Sequence, residues 1–269
     1  MAKVIYNQIF QSFDGSSFLA DVREEASKHK GLLCLQNQLL TDILGKQNQA
    51  INHVDCGSKL IEERLQGKTV LIILDDVDNC KQLNSLAGAL NWFGPRSKII
   101  ITTRDEQVFG GVAHLDDKNI YKPEGLDDHQ SLLLFSMHAF GRIQPPIDYM
   151  KLSREVVQYA RGLPLTLEVL GSSLCNREKE EWKSALQKLE KVPHEEVQNK
   201  LKISYDGLNK NQKDIFLDTS CFFIGMYKDL AIAIWEGCGF FPKIELKALI
   251  RKSLIRIGED SKLRMHDQL

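Results

Sequence analysis

Two carboxylates and one guanidinium stand where chemistry is possible. Asp75 and Asp76 close the apolar run Leu71-Ile-Ile-Leu74, and Arg104 follows the run Lys98-Ile-Ile-Ile-Thr-Thr103. Unbroken apolar runs that end in charge suit strands buried on both faces of a parallel sheet, with the charges at their carboxyl ends. In open α/β sheets that edge is where ligands bind. Two acids at one strand end can hold a hard divalent cation, and an arginine at another can take a phosphate oxygen. The spacing therefore predicts a metal and phosphate site at Asp75, Asp76 and Arg104. The sequence contains no Gly-rich loop whose backbone N–H groups would supply the rest of such a site.

No other constellation competes with this one. The six cysteines, at positions 34, 56, 80, 175, 221 and 238, form no Cys-x-x-Cys pair. They read as thiols in a reducing compartment, not as disulfides or zinc ligands. Cys34, Cys175 and Cys221 lie in apolar helical contexts and are expected in the core. No Ser/His/Asp or Cys/His set has the spacing of a nucleophilic site. Trp182 shares a stripe with Ala185, Leu186 and Leu189, the pattern of core packing and not of base stacking. Lys243, Lys247, Arg251 and Lys252 give one helix a basic side, but Glu236, Glu245, Glu259 and Asp260 stand nearby. Direct nucleic-acid binding is therefore not expected.

Composition sets wide bounds. The 269 residues carry a net charge of −1, with 43% hydrophobic and 26% charged residues. That is ordinary for a globular chain and supplies no global field toward nucleic acid or membrane. The length fits about two domains. The longest apolar runs fall far short of the roughly 20 residues of a membrane span. Met1-Ala-Lys-Val-Ile-Tyr6 does not read as a secretion signal. The cytoplasm is the expected location.

The elements that must position the charges follow from periodicity. Ala2–Phe13 has helical spacing with one apolar face. Ser16–Val22 reads as a strand, Gly31–Leu44 as a Leu-rich helix, Gln47–Cys56 as a polar loop and Ser58–Leu65 as a short helix. The strand Thr69–Asp75, the helix Lys81–Leu90 and the strand Lys98–Thr103 come next, with Asn119–Leu126 as a further strand. Alternation of this kind is the mark of a parallel sheet covered on both faces. After Leu126 the strands stop, and Asp127–Phe140, Tyr149–Ala160, Pro164–Leu174 and Glu180–Leu189 read as helices. Gly162 suits a helix C-terminus and Pro164 the first turn of the next helix. Helices are then expected over Val197–Tyr205, Lys210–Phe223, Lys228–Glu236 and Lys243–Lys252. Two short strands, Ser253–Ile257 and Lys262–Met265, complete the pattern of a winged-helix module.

Several of these segments occur in a known order. Ser17-Phe-Leu-Ala-Asp-Val-Arg-Glu24, Leu71–Asp78, Lys98–Asp105, Gly162-Leu-Pro-Leu165, Phe216-Leu-Asp-Thr-Ser-Cys-Phe-Phe223 and Met265-His-Asp267 run through the chain. Together they resemble the NB-ARC nucleotide-binding switch module of plant intracellular immune receptors. Asp78, closing the acidic strand, is similar to the Toll/interleukin-receptor-linked branch. The resemblance implies an α/β, P-loop-NTPase-like parallel sheet over residues 1–126. A helical bundle over 127–193 and a winged-helix subdomain over 194–269 would follow.

Roles are implied as well, with ADP/ATP and Mg²⁺ as cofactors. Asp75 looks like the acid that holds Mg²⁺ through water, and Asp76 like the acid that orients a hydrolytic water. Arg104 looks like the sensor of the γ-phosphate, and Pro164 is similar to the residue packed near adenine and ribose. His266 is similar to the histidine on the ADP β-phosphate, with Asp267 in support. The family's Gly-x-Gly-Gly-x-Gly-Lys-Thr-Thr loop would directly precede Ala2–Phe13. The loop and its strand are thus expected to be missing, the chain being truncated after the phosphate loop. Arg96 replaces a usual Gly, and Thr219-Ser220 a common Ile-Ala. Losing the phosphate-loop strand would leave an open apolar edge beside Lys98–Thr103.

The expected function is an ADP/ATP-binding switch of plant defence signalling with impaired nucleotide binding, and not an active ATPase by itself. The alternative is a nucleotide-independent interaction fragment. The implied partners are nucleotide and other receptor domains or protomers, with no membrane.

Overall fold

The computed structural model describes residues 1–45, 51–109, 117–189, 191–258 and 260–265. The chain divides into two compact units. The first comprises Met1–Asn119 with Arg251–Ser253, and the second Ile120–Ile250 with Leu254–Leu269.

In the first unit, α1 (Ala2–Ile9) and a 3₁₀ turn lead into β1 (Gly15–Leu19). Then come α2 (Val22–Ser27), α3 (Gly31–Leu44), α4 (Val54–Leu65), β2 (Val70–Leu74), α5 (Cys80–Ala87) and β3 (Lys98–Ile101). The three strands are parallel, in the order β1-β2-β3, with Leu74 opposite Leu19 on one side and Ile101 on the other. All five side chains of β2 are buried because it has a strand on each edge and cover on both faces. Leu35, Leu39, Ile61, Leu65, Leu83 and Leu86 share a core with Val70, Ile72 and Leu74. On the opposite face Tyr6 of α1 sits edge-on to Phe18 and bonds Ser16 through its hydroxyl. Among the described strands β3 is an edge, with Lys98 exposed and Ile99–Ile101 half-buried.

Several sequence expectations need correction. The segment 16–22 is not one strand: β1 ends at Leu19, Asp21 turns the chain at φ 48°, and α2 starts at Val22. The polar stretch before Ser58 is partly helical, because α4 begins at Val54. No strand forms over Asn119–Leu126. A 3₁₀ turn covers Asp117–Asn119, Pro123 has no N–H for a ladder, and Leu126 donates its N–H to the Gly162 carbonyl instead. Cys34 and Cys221 are exposed and Cys175 only half-buried. Cys34 lies one position off the buried stripe Leu35, Gln36, Leu39 and Leu40 of α3.

The second unit is helical. α6 (Asp128–Phe140), α7 (Met150–Ala160), α8 (Pro164–Leu174) and α9 (Lys179–Leu189) surround an apolar cluster centred on Phe135, Leu170 and Trp182. α10 (Glu195–Asp206), α11 (Lys210–Asp218), α12 (Lys228–Gly237) and α13 (Pro242–Arg251) follow. They enclose a separate cluster containing Phe216, Trp235 and Leu249. β4 (Arg256–Ile257) and β5 (Leu263–Arg264) pair antiparallel. The helix expected to reach Phe223 changes to a π-helical turn at Thr219, whose buried hydroxyl donates back to the Ile215 carbonyl. Such back-bonding loosens the backbone ladder. Among the described residues no helix is long and apolar enough to cross a membrane.

Candidate functional site

The carboxyl end of β2 is held from both sides by backbone bonds. Asp75 donates its N–H to the Leu19 carbonyl and accepts the Val22 N–H, so β1 and α2 both close on it. Thr102, the first residue after β3, donates its N–H to Leu74 and accepts that of Val77. Parallel register therefore sets the Thr102 hydroxyl beside the two acids. It donates to Asp75 Oδ1 at 2.6 Å and accepts the Asp76 N–H at 2.8 Å.

Asp76 is bound at every polar group. Its φ of 56° lies in the left-handed region, which favours Asp and Asn among non-glycine residues. That turn aims its carbonyl at the Arg23 N–H, 3.1 Å away. Its carboxylate takes two guanidiniums. Arg23 Nη2 is 2.9 Å from Oδ2 and Arg104 Nε is 3.3 Å from Oδ1. Asp105, the sequence neighbour of Arg104, pairs instead with Lys252 at 2.8 Å. Asp78 exchanges hydrogen bonds with Gln82, which also forms the capping box of α5 with Asn79.

Asp75, Asp76 and Arg104 are thus gathered at one sheet edge. Pro164 lies in the second unit, at the first position of α8. His266 and Asp267 lie outside the described residues. Sequence reasoning missed two members of the cluster, Thr102 and Arg23. A hydroxyl directly after an apolar run pointed to the first, but only strand register pairs it with Asp75. The second was hidden by reading 16–22 as a single strand.

The donor chemistry fits a phosphate and a hard cation. Mg²⁺ in phosphate-transfer sites is held by one or two carboxylates plus the phosphates themselves. Asp75 offers such a carboxylate, oriented by Thr102. Guanidiniums are the matching partners for phosphate oxygens.

Thr102→Val keeps the shape of the side chain and removes both hydroxyl bonds. It should lower the stability of the first unit by about 2 kcal/mol, one charge-assisted and one neutral bond in a half-exposed setting. Thr102→Ser should recover most of the loss. Chemical denaturation of the three proteins checks this, and a Val variant as stable as the parent would refute the bridging role.

Comparison with known proteins extends this geometry. The NB-ARC domain family matches residues 1–144, over half of the chain, and the Roq1-like winged-helix domain of disease resistance proteins matches residues 209–269. The chain is 45% identical over 258 residues to TMV resistance protein N of Nicotiana glutinosa, covering 95% of this chain and 22% of that protein. It is 43% and 41% identical to the disease resistance proteins RUN1 and RPV1 of Vitis rotundifolia, covering 99% of this chain in each case. It spans about a fifth of the length of these relatives, at 20% of RUN1 and 19% of RPV1. With both domain matches and these relatives in agreement, the chain belongs to the NB-ARC family, in the form found in plant disease resistance proteins.

Proposed function

We propose that this chain is part of an ADP/ATP-dependent molecular switch in plant defence signalling. The observation that carries this reading is the convergence of Asp75, Asp76 and Arg104 at one sheet edge, locked by Thr102. Asp75 would hold Mg²⁺, which supplies charge neutralisation at the phosphates when bound. Arg104 would contact the terminal phosphate, and Pro164 would pack against the adenine and ribose. His266, with Asp267, would contact the β-phosphate. Asp76 would orient a water only after leaving at least one of its two guanidiniums, so hydrolysis is slow by construction. Residues 1–126, 127–193 and 194–269 would act as sheet, bundle and winged-helix subdomains of a cytoplasmic receptor.

The sequence contains no Gly-rich loop, so several charge-assisted donors to the phosphates are not among its residues. Each is worth roughly 1.5–3 kcal/mol, so this chain should bind nucleotide weakly. Calorimetric titration with Mg·ATP and Mg·ADP tests the reading. Binding that needs Mg²⁺, loses that requirement in Asp75→Asn and weakens about tenfold in Arg104→Ala is the expected result. Absence of any magnesium-dependent heat would favour a nucleotide-independent interaction module. The apolar side chains exposed in the second unit, among them Phe222, Phe241 and Ile244, are what favour that second reading.

A further inference from the structure

We propose that Arg23 is a second anion-binding residue of this site. Arg23 and Arg104 together form a seat for the terminal phosphate of a nucleoside triphosphate, and the Asp76 carboxylate fills that seat until the phosphate arrives. The proposal rests on the nucleotide reading above and adds a residue, a ligand group and a means of regulation to it.

The two guanidiniums do not crowd one oxygen. Arg23 takes Oδ2 of Asp76 and Arg104 takes Oδ1, so they flank a single anion. A phosphoryl group presents pairs of oxygens at a similar spacing and carries more charge, so it can take the same two partners. Each guanidinium has five N–H donors, so neither is exhausted by one carboxylate oxygen. Solvent reaches the seat: the side chains of Arg23 and Arg104 are 33% and 49% exposed, and that of Asp76 is 18% exposed.

Arg23 is also held in place. Its own N–H bonds the Asp76 carbonyl, and the Val22 N–H before it bonds the Asp75 carbonyl. These two N–H groups belong to the first turn of α2, so they are already engaged by protein and the charge of the Arg23 side chain is what remains to offer. The Asp76 carboxylate lies between the two arginines, one on each oxygen. Both arginines are paired with Asp76, so an arriving phosphate must displace that carboxylate. That displacement frees the carboxylate assigned to orient water, which couples arrival of the third phosphate to completion of the site.

The test follows the arginine Nε–Hε resonances of the whole chain by NMR, assigned through Arg23→Lys and Arg104→Lys. The probes are tripolyphosphate, Mg·ATP and Mg·ADP. Both arginine signals should move along one saturating curve with tripolyphosphate and with Mg·ATP. Arg23→Gln should weaken tripolyphosphate about tenfold, as Arg104→Gln does, and Arg23→Lys should recover part of that. Asp76→Asn should bind it several-fold more tightly, because the competing charge is gone. A residue that only clamps Asp76 would change the melting temperature and none of these affinities.

An Arg23 signal that stays still while Arg104 moves overturns the proposal, as does unchanged affinity in Arg23→Gln or weaker binding in Asp76→Asn. If Arg23→Gln does not fold, the parent spectra and Arg23→Lys decide. Mg·ADP binding with Arg23 silent to every triphosphate keeps the nucleotide reading and removes this one. Tripolyphosphate moving both arginines without any nucleotide binding shows an anion seat at Arg23 and Arg104, but overturns its assignment to a nucleoside triphosphate together with the nucleotide reading. A chain that binds none of the three probes overturns both.

Discussion

Trp182→Ala is expected to lower the stability of the helical unit by about 3–5 kcal/mol, the range for removing a fully buried aromatic side chain. Trp182 is wholly inaccessible to solvent. Its ring stacks on Phe140 at 5.4 Å and meets Phe135 and Tyr149 edge-on at 5.7 and 5.1 Å. These are the offset and T-shaped arrangements that aromatic quadrupoles favour. The indole N–H donates to the Leu174 carbonyl at 3.0 Å, tying α9 to the end of α8. Trp182→Phe separates the two contributions. It keeps most of the packing and strands the carbonyl, so a loss of about 1–2 kcal/mol is expected. Guanidinium unfolding followed through the near-ultraviolet aromatic bands measures both. A loss below about 1 kcal/mol in the Ala variant would show that the three rings close over the gap.

The elements legible in the sequence are those whose caps and stripes agree. The helices Gly31–Leu44 and Pro164–Leu174 were bounded correctly, the first by its Leu-rich core face and the second by a proline at its first position. The buried strand Val70–Leu74 and the strand from Lys98 were legible because few other elements bear such runs. The start of α4 was hidden by Gly57, which reads as a breaker but is a packing residue. A Cβ there would lie 2.0 Å from the Gln36 side chain. The false strand at 119–126 came from apolar residues that have no partner strand among the described residues, one of them Tyr121 at 73% exposed.

The same logic divides the site. Asp75, Asp76 and Arg104 follow from strand ends alone. Thr102 and Arg23 do not, because what makes them part of the site is non-local. Thr102 matters through a parallel register 27 residues distant from Asp75, and Arg23 through a tight turn at Asp21 that periodicity cannot see. Charge at this edge is therefore denser than the motif implies. A carboxylate assigned by resemblance to water is engaged by two cations, one from the first turn of α2 and one from the loop after β3. A motif names residue types at one strand end, whereas the electrostatics depend on what the neighbouring loops bring to it.

Gly162→Ala should cost about 3 kcal/mol, although it adds one methyl group. Gly162 has φ 76° and follows Arg161 at φ 47°, so two successive residues turn left-handed between α7 and α8. An L side chain in that region costs roughly 1–2 kcal/mol. A Cβ at Gly162 would also lie 2.4 Å from the Leu126 carbonyl oxygen and 3.0 Å from its nitrogen. The atoms it would meet are backbone and cannot swing aside, and the Leu126 N–H donates to the Gly162 carbonyl at 2.9 Å. Relieving the overlap means opening this bond or moving the entry of α6, which adds about 1–3 kcal/mol of overpacking. Gly141 supplies the control. It caps α6 at φ 66° with nothing within 4 Å of a built Cβ, so Gly141→Ala should show the backbone strain alone, about 1 kcal/mol. The difference between the two variants in denaturant midpoints isolates the overlap. Equal losses would mean that the Leu126 backbone yields freely, and that Gly-Leu-Pro-Leu is not the rigid joint that seats Pro164 at the head of α8.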